Sequence, residues 1–271
     1  MPAPDRYAVV GHPVAHSKSP RMHGAFAAQT GEALVYDAID VAPGEFEQQV
    51  KAFFEAGGKG LNVTLPYKEE AYRLADRLTR RARQAGAVNT LARQADGSVL
   101  GDNTDGAGLL RDVTETLQWP IRKRRVLVLG AGGAVRGILG PLLEQQPAAV
   151  VIANRTQSKA MQLAQAFGEG VTGCGYDALA GQAFDVVING TSASLAGELP
   201  PLPEGVLAEG ACCYDMMYGP EPTVFLQWAN AHGAKTADGL GMLAEQAAES
   251  FLLWRGTRPC TAPVLAMLRA G

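Results

Sequence analysis

Short apolar runs alternate with helical spacings along the whole chain. Strand-like runs fall at Tyr7–Val10, Leu34–Ile39, Gly60–Val63, Val88–Leu91 and Val99–Gly101. Others fall at Arg125–Leu129, Ala149–Ala153, Asp185–Ile188, Ala211–Tyr214 and Lys235–Ala237. Several are apolar at nearly every position, as parallel strands buried on both faces are. Between them, Val135, Ile138, Leu139, Leu142 and Leu143 keep the i, i+3, i+4 spacing of an amphipathic helix. Pro141 lies inside that helix and is expected to kink it. Ala160, Leu163, Ala164 and Phe167 repeat the pattern, as do Leu240, Leu243, Ala244, Ala247, Ala248 and Phe251. Alternation of this kind predicts an α/β protein. The clearest seam is Trp119–Arg125, where Pro120 precedes the basic run Arg122–Arg125, a surface lead-in to a strand. The helices from Leu240 onward follow the last strand, and periodicity fits equally their packing there or their return to an earlier domain.

Composition narrows the class. The 271 residues suggest two domains at about 150 residues each. With 47% hydrophobic and 19% charged residues the chain has material for a large core, which excludes a disordered protein. A net charge of −3 provides no basic field for nucleic acid or a membrane surface, so any anion must be held by local donors. Cys174, Cys212, Cys213 and Cys260 are too scattered for a zinc site and read as small buried hydrophobes in a reducing compartment. The 4 histidines lack H-x-x-x-H spacing, so no metal is expected. Met1–Asp5 shows no basic-then-apolar leader, and no apolar run reaches about 18 residues; a soluble, cytoplasmic protein is expected. Monomer and homodimer remain equally open.

A nucleotide signal lies at Leu127-Val128-Leu129-Gly130-Ala131-Gly132-Gly133-Ala134, a strand, a glycine turn and a helix start. Gly130 permits the tight turn, and Gly132 lets backbone approach a pyrophosphate at the helix N-terminus. Val135 stands where G-x-G-x-x-G has its third glycine, so the fingerprint is a variant. The next strand ends at Ala153, where NAD enzymes usually place an acid for the ribose 2′-hydroxyl. Asn154, Arg155 and Thr156 occupy that place, with Lys159 one turn later. Thr156 as a plain helix cap accounts for part of this pattern. Arg155 does not fit that role, since a cation opposes the dipole at a helix N-terminus. The pattern favours NADP over NAD.

Polar residues at other strand ends point to a small hydroxylated substrate. Ser17-Lys18-Ser19-Pro20 precedes a helix, with Ser19 as expected N-cap and Pro20 as first helical residue. Two hydroxyls at i, i+2 beside free helix amides also suit a carboxylate. In Gly60–Lys68, Asn62 and Thr64 share one strand face, Pro66 opens a helix, and Lys68 falls in its first turn. A lysine there opposes the dipole, which favours release of its proton and suits an acid/base role. Gly86–Thr90 and Gly101–Gly106 add further polar groups. Asp105 reads either as a helix cap or as the carboxylate partner of Lys68.

These motifs resemble those of the shikimate dehydrogenase family: Ser17-x-Ser19, Asn62-Val63-Thr64-x-Pro66-x-Lys68, Gly86-Ala87-Val88-Asn89-Thr90 and Asn103-Thr104-Asp105-Gly106. So do Gly130–Ala134, Asn154-Arg155-Thr156, Tyr214-Asp215-Met216-x-Tyr218 and Gly241-Met242-Leu243-x-x-Gln246-Ala247, in family order over nearly the whole chain. The resemblance implies reversible NADPH-dependent reduction of 3-dehydroshikimate to shikimate, in chorismate and aromatic amino-acid biosynthesis. By position, Ser17 and Ser19 would bind the substrate carboxylate. Asn62, Thr64, Asn89, Asp105, Tyr218 and Gln246 would contact its ring and hydroxyls, and Lys68 would be the general acid/base paired with Asp105. Gly130, Ala131, Gly132, Gly133, Ala134, Asn154, Arg155, Thr156, Lys159, Met216 and Gly239 would line NADP. The implied architecture is a substrate domain at 1–103, a Rossmann-type NADP domain at 104–238, and helices at 239–271 packing back on the first domain, with a cleft between the two domains.

Two positions depart from the family pattern. Lys159 stands where many members have arginine, so its grip on a 2′-phosphate is less bidentate. Gly190 stands where alanine is frequent, and little effect is expected from it. Two rival readings remain: an NAD-preferring quinate/shikimate dehydrogenase, opposed by Arg155, and a silent NADP-sensing module, opposed by the Lys68–Asp105 pair.

Overall fold

The computed structural model describes residues 3–270; Met1 and Pro2, where the leader reading begins, and Gly271 lie outside the described residues. The chain forms two compact units, Met1–Gly108 with Leu243–Gly271, and Leu109–Met242.

The first unit contains β1 (Asp5–Gly11), α1 (Ser19–Thr30), β2 (Leu34–Asp40), α2 (Phe46–Glu55), β3 (Gly60–Val63), α3 (Lys68–Leu74) and β4 (Arg77–Leu78). After these come α4 (Arg80–Ala85), β5 (Thr90–Arg93), β6 (Val99–Asp102) and the start of α5 (Asp105–Arg111). Its mixed sheet has the order β2-β1-β3-β5-β6-β4, with β1 parallel to β2 and β3, and β5 antiparallel to β3 and β6. Alternation along β1 sends Ala8 and Val10 to one core and Tyr7 and Val9 to the other. Both faces are therefore buried, which is why β1 reads as a continuous apolar run.

The second unit holds β7 (Arg125–Leu129), α6 (Gly133–Glu144), β8 (Ala149–Ala153), α7 (Gln157–Phe167), β9 (Val171–Cys174), β10 (Phe184–Asn189), β11 (Leu207–Asp215), α8 (Val224–Ala231) and β12 (Lys235–Ala237). The sheet is parallel throughout, in the order β12-β11-β10-β7-β8-β9. Val126 and Val128 of β7 face one core, and Leu127 and Leu129 the other. Strand order reverses between β7 and β10, the switch point at which doubly wound sheets bind nucleotides. The glycine turn follows β7 at that point.

The last helices, α9 (Leu240–Arg255) and α10 (Ala262–Arg269), belong with the first unit from Leu243 onward. Arg255 pairs with Asp5 and Glu32, and Trp254 Nε1 donates to the Leu91 carbonyl at 3.0 Å. Among the described residues no helix is long and apolar enough to cross a membrane.

Several local expectations are corrected. The stretch Trp119–Arg125 is not a seam, because Trp119 and Ile121 are buried in the core of the second unit. Lys18, not Ser19, caps α1, so Pro20 is its second residue. Pro66 lies in the turn before α3, whose first residue is Lys68. Thr90, not Val88, begins β5. Two strands carried no periodic signal. At two residues β4 is too short for one, and β9 has Gly173 at a place where a Cβ would meet the Ala160 carbonyl oxygen at 2.2 Å.

Candidate active site

In the first unit the ends of β3, β5 and β6 and the face of α9 deliver a connected set of polar side chains. Lys68, the first residue of α3, donates from Nζ to Asp105 Oδ2 at 2.6 Å. The other oxygen, Oδ1, accepts from Asn89 Nδ2 at 2.8 Å. Asn89 Nδ2 also reaches Thr104 Oγ1 at 2.9 Å and Gln246 Oε1 at 3.3 Å. Asp105 is buried and Lys68 half-buried, which protects the pair from the screening that weakens exposed ion pairs.

Asn62 extends the cluster. Its Nδ2 donates to Ser250 Oγ at 2.9 Å and Thr90 Oγ1 at 3.2 Å, and its Oδ1 accepts from the Tyr36 hydroxyl at 2.7 Å. Tyr36 in turn stacks on the imidazole of His23, ring centroids 4.2 Å apart. Burial pulls the His23 pKa down to about 3 against a smaller opposing pull from Asn62, so this ring is neutral at ordinary pH. The Ser19 hydroxyl acts on the Tyr36 phenol, whose pKa burial drives up. Ser17 Oγ accepts from the Ser19 amide at 3.2 Å. Thr64 packs its methyl against Gly11, where a Cβ would meet Thr64 Cγ2 at 2.4 Å.

The structure thus brings Ser17, Ser19, Asn62, Lys68, Asn89, Asp105 and Gln246 into one contiguous network. Tyr218 belongs to the second unit, exposed on the segment after β11. Thr90 and Thr104 entered the sequence reading only as members of polar clusters, without a role, and Tyr36 and Ser250 were not singled out. Ser250 carried a usable signal, as a polar residue one helical turn beyond Gln246.

In the second unit, Gly130 has φ +104°, a conformation that favours glycine, and its amide donates to the Ala153 carbonyl at 2.8 Å. Gly132 caps α6 with no side-chain bond, and a Cβ placed on Gly132 or Gly133 meets nothing within 4 Å. Open space over uncapped first-turn amides suits a pyrophosphate. Ala134 in that first turn is exposed and Ala131 half-buried. Asn154 Nδ2 donates to the Thr156 carbonyl at 2.9 Å, while Thr156 caps α7 without a side-chain bond. Arg155 and Lys159 are exposed cations beside that helix start. Gly239 and Met216 adjoin, since a Cβ on Gly239 would meet the Met216 carbonyl oxygen at 2.2 Å. These residues fit an NADP molecule.

Gly190 lies close against Val135 and Met216. A Cβ there would meet Val135 Cγ2 at 2.5 Å and Met216 Sδ at 3.2 Å. Val135, in the place of the third glycine of the fingerprint, fills the space that a side chain at 190 would need. We expect Gly190→Ala to destabilise the second unit by about 1–3 kcal/mol, the usual cost of overpacking. In thermal melts the double variant with Val135→Ala should recover part of that loss, a coupling of about 0.5 kcal/mol or more. Strictly additive melts would show that the contact is not responsible.

A two-unit α/β chain with a lysine–carboxylate pair in one unit and a nucleotide turn at the switch point of the other is a nicotinamide-dependent oxidoreductase by fold and site. Family descriptions match in register: Shikimate dehydrogenase substrate binding domain at residues 9–91, Shikimate / quinate 5-dehydrogenase at 112–196, and Shikimate 5'-dehydrogenase C-terminal domain at 239–270. The Shikimate dehydrogenase (NADP(+)) of Chromohalobacter salexigens is 61% identical, over 98% of this chain and 98% of its own. That of Methylococcus capsulatus is 57% identical, over 100% of this chain and 98% of its own. The shikimate 5-dehydrogenase of Thermus thermophilus, solved in complex with NADP(H) and shikimate, is 35% identical and superposes with a TM-score of 0.88, covering 98% of this chain and 99% of its own. The chain belongs to the shikimate dehydrogenase family, the NADP-dependent oxidoreductases of the shikimate pathway.

Proposed function

We propose that this chain reduces 3-dehydroshikimate to shikimate reversibly with NADPH, and that Lys68 is its general acid/base. The observation that carries the assignment is the 2.6 Å contact between Lys68 Nζ and Asp105 Oδ2, set among neutral amides and hydroxyls. In this reading the substrate belongs to Met1–Gly108 with Leu243–Gly271, and NADP to Leu109–Met242.

When bound, the nicotinamide cofactor supplies the hydride in reduction and takes it up in oxidation. Lys68 delivers a proton from Nζ to the developing alkoxide and takes it back in the reverse direction. Asp105 holds the ammonium in place through Oδ2 while Asn89 fixes Oδ1, so the carboxylate keeps one orientation. Asn62, Thr64 and Gln246 contact ring hydroxyls, and Ser17 and Ser19 take the carboxylate. In the other unit, the Gly130–Ala134 turn would hold the pyrophosphate, Arg155, Thr156 and Lys159 would meet the 2′-phosphate, and Met216 and Gly239 would line the cofactor. The cysteines are all free thiols, which supports a cytoplasmic setting.

Following reduced cofactor by absorbance, with NADP and NAD each offered shikimate and quinate, tests the reading. Shikimate with NADP should turn over fastest, and a preference for quinate with NAD would overturn it. Changing Ser17 and Ser19 together to alanine should raise the shikimate KM while leaving that of NADP unchanged. A hydrogen bond to a charged group contributes about 1.5–3 kcal/mol, so the rise should be about tenfold or more. An unchanged KM would return both serines to the local turn, where Ser17 already receives the Ser19 amide.

A further inference from the structure

Beside the polar network lies a chain of charges, buried carboxylates paired with half-buried arginines, that the proposed chemistry does not use. Asp102, the last residue of β6, is 1% exposed. Its Oδ1 accepts from Thr79 Oγ1 at 2.5 Å, Arg81 Nε at 2.7 Å and the Asn103 amide at 2.8 Å, and its Oδ2 accepts from Arg81 Nη2 at 2.5 Å. Burial works to raise its pKa, but the Arg81 guanidinium and the other donors outweigh it and hold the carboxyl below its ordinary value. Arg81 Nη1 reaches on to Glu249 Oε2 at 3.3 Å. Glu249 also receives Arg258, which spans to Glu245, and Glu245 receives Thr261.

Each branch of this chain ends on a segment that carries a residue of the proposed site. The Asn89 amide donates to the Asp102 carbonyl at 3.0 Å. Asn103, whose amide Asp102 holds, accepts the Asp105 amide on its Oδ1 at 3.1 Å and donates from Nδ2 to the Ala87 carbonyl at 3.1 Å. On α9, Glu245 and Glu249 immediately precede Gln246 and Ser250. One forked pair therefore fixes the segments bearing Asn89, Asp105 and Gln246 relative to one another. A buried ion pair is a poor source of net stability, and apolar residues of similar volume often serve as well or better. What such a pair provides is a fixed geometry.

We infer that the Arg81–Asp102 pair is the positioning element of the active site, holding Asp105, Asn89 and Gln246 in register for the substrate ring that Lys68 acts upon. The inference rests on the reading of Lys68 and Asp105 given above. Arg81 and Asp102 act through their neighbours and touch neither reactant. A reacting group misplaced by about an ångström can lose about a hundredfold in rate, so the pair has a large effect to exert.

Steady-state kinetics of Arg81→Met, Asp102→Asn and Arg81→Lys, in the full chain with NADP and shikimate, tests this. Arg81→Met removes the charge and the fork, Asp102→Asn keeps an oxygen for the Asn103 amide, and Arg81→Lys keeps the charge alone. The first two should lower kcat about tenfold or more and raise the shikimate KM about tenfold, leaving the NADP KM unchanged. Arg81→Lys should recover part of both effects. Loss of folded protein alone would lower kcat and leave both KM values where they were. An unmoved shikimate KM in folded variants, or an equal rise in both KM values, would overturn the inference. Should Arg81→Met fail to fold, Asp102→Asn and Arg81→Lys decide by the same criteria. Lys68→Ala in the same assay separates the two claims. Full activity there sinks the acid/base reading, whereas its loss beside unaltered Arg81 and Asp102 variants sinks only the positioning role.

Discussion

Lys68→Ala should fold, bind shikimate nearly as well as the parent chain, and turn it over about 10²–10⁴-fold more slowly, the range typical of a general acid/base. The side chain stands at the start of α3, where nothing in its own helix needs an ammonium. Its backbone carbonyl, which accepts the Val88 amide at 2.9 Å, survives the substitution. The Asp105 carboxylate keeps Asn89 Nδ2 at 2.8 Å, so it is not stranded without a donor. The loss should therefore appear in kcat rather than in the melting temperature. Lys68→Arg sharpens the test, since arginine can pair with Asp105 but does not release a proton near neutral pH. An electrostatic role would survive that change, and a proton-transfer role would not. If Lys68→Ala kept more than about a tenth of the parent kcat, or Lys68→Arg were active, the assignment would fail.

The lysine was legible because it was out of place locally: a cation in a first helical turn opposes the dipole. Asp105, which opens α5 as an ordinary acidic first-turn residue, was legible only as one of two readings, and the 2.6 Å contact with Lys68 decides between them. The nucleotide turn was legible for a similar reason, since Gly130 and Gly132 sit at the junction of an apolar strand and an amphipathic helix. Tyr36 was not legible, and Thr90 and Thr104 were legible only as members of polar clusters, with no role of their own. Their value comes from Asn62 or Asn89 arriving across the sheet. The Gly190 contact was hidden for the same reason, because Val135 and Met216 reach it from elsewhere in the chain. In β9 the strand pattern was broken by Gly173, which accommodates the backbone of α7. Tertiary approach of this kind leaves only a glycine or a lone hydroxyl in the sequence, and periodicity does not read either one.

Arg155→Asp should narrow or invert the preference for NADP over NAD, measured as the ratio of kcat/KM for the two cofactors, without loss of fold. The two molecules differ only in the 2′-phosphate, so any preference must come from groups that meet it. Arg155 is exposed after β8, beside the start of α7, where Asn154 already fixes the turn through the Thr156 carbonyl. Its planar fork suits phosphate oxygens, and the uncapped amides of the helix add donors nearby. Losing that charge-assisted contact should cost about 1.5–3 kcal/mol, or about ten- to a hundredfold in NADP affinity. NAD makes no such contact and should bind nearly as before. Aspartate goes further than alanine would, repelling the phosphate while offering the ribose hydroxyls an acceptor. It also complements the dipole at the N-terminus of α7, where arginine opposes it, so the melting temperature should hold or rise. Titration with 2′,5′-ADP and with 5′-AMP, followed by protein fluorescence, gives the same comparison free of turnover: the variant should lose affinity for the first and keep it for the second. If both ratios stayed at their parent values, another group reads the phosphate, and Lys159, exposed in the first turn of the same helix, would be the next residue to change.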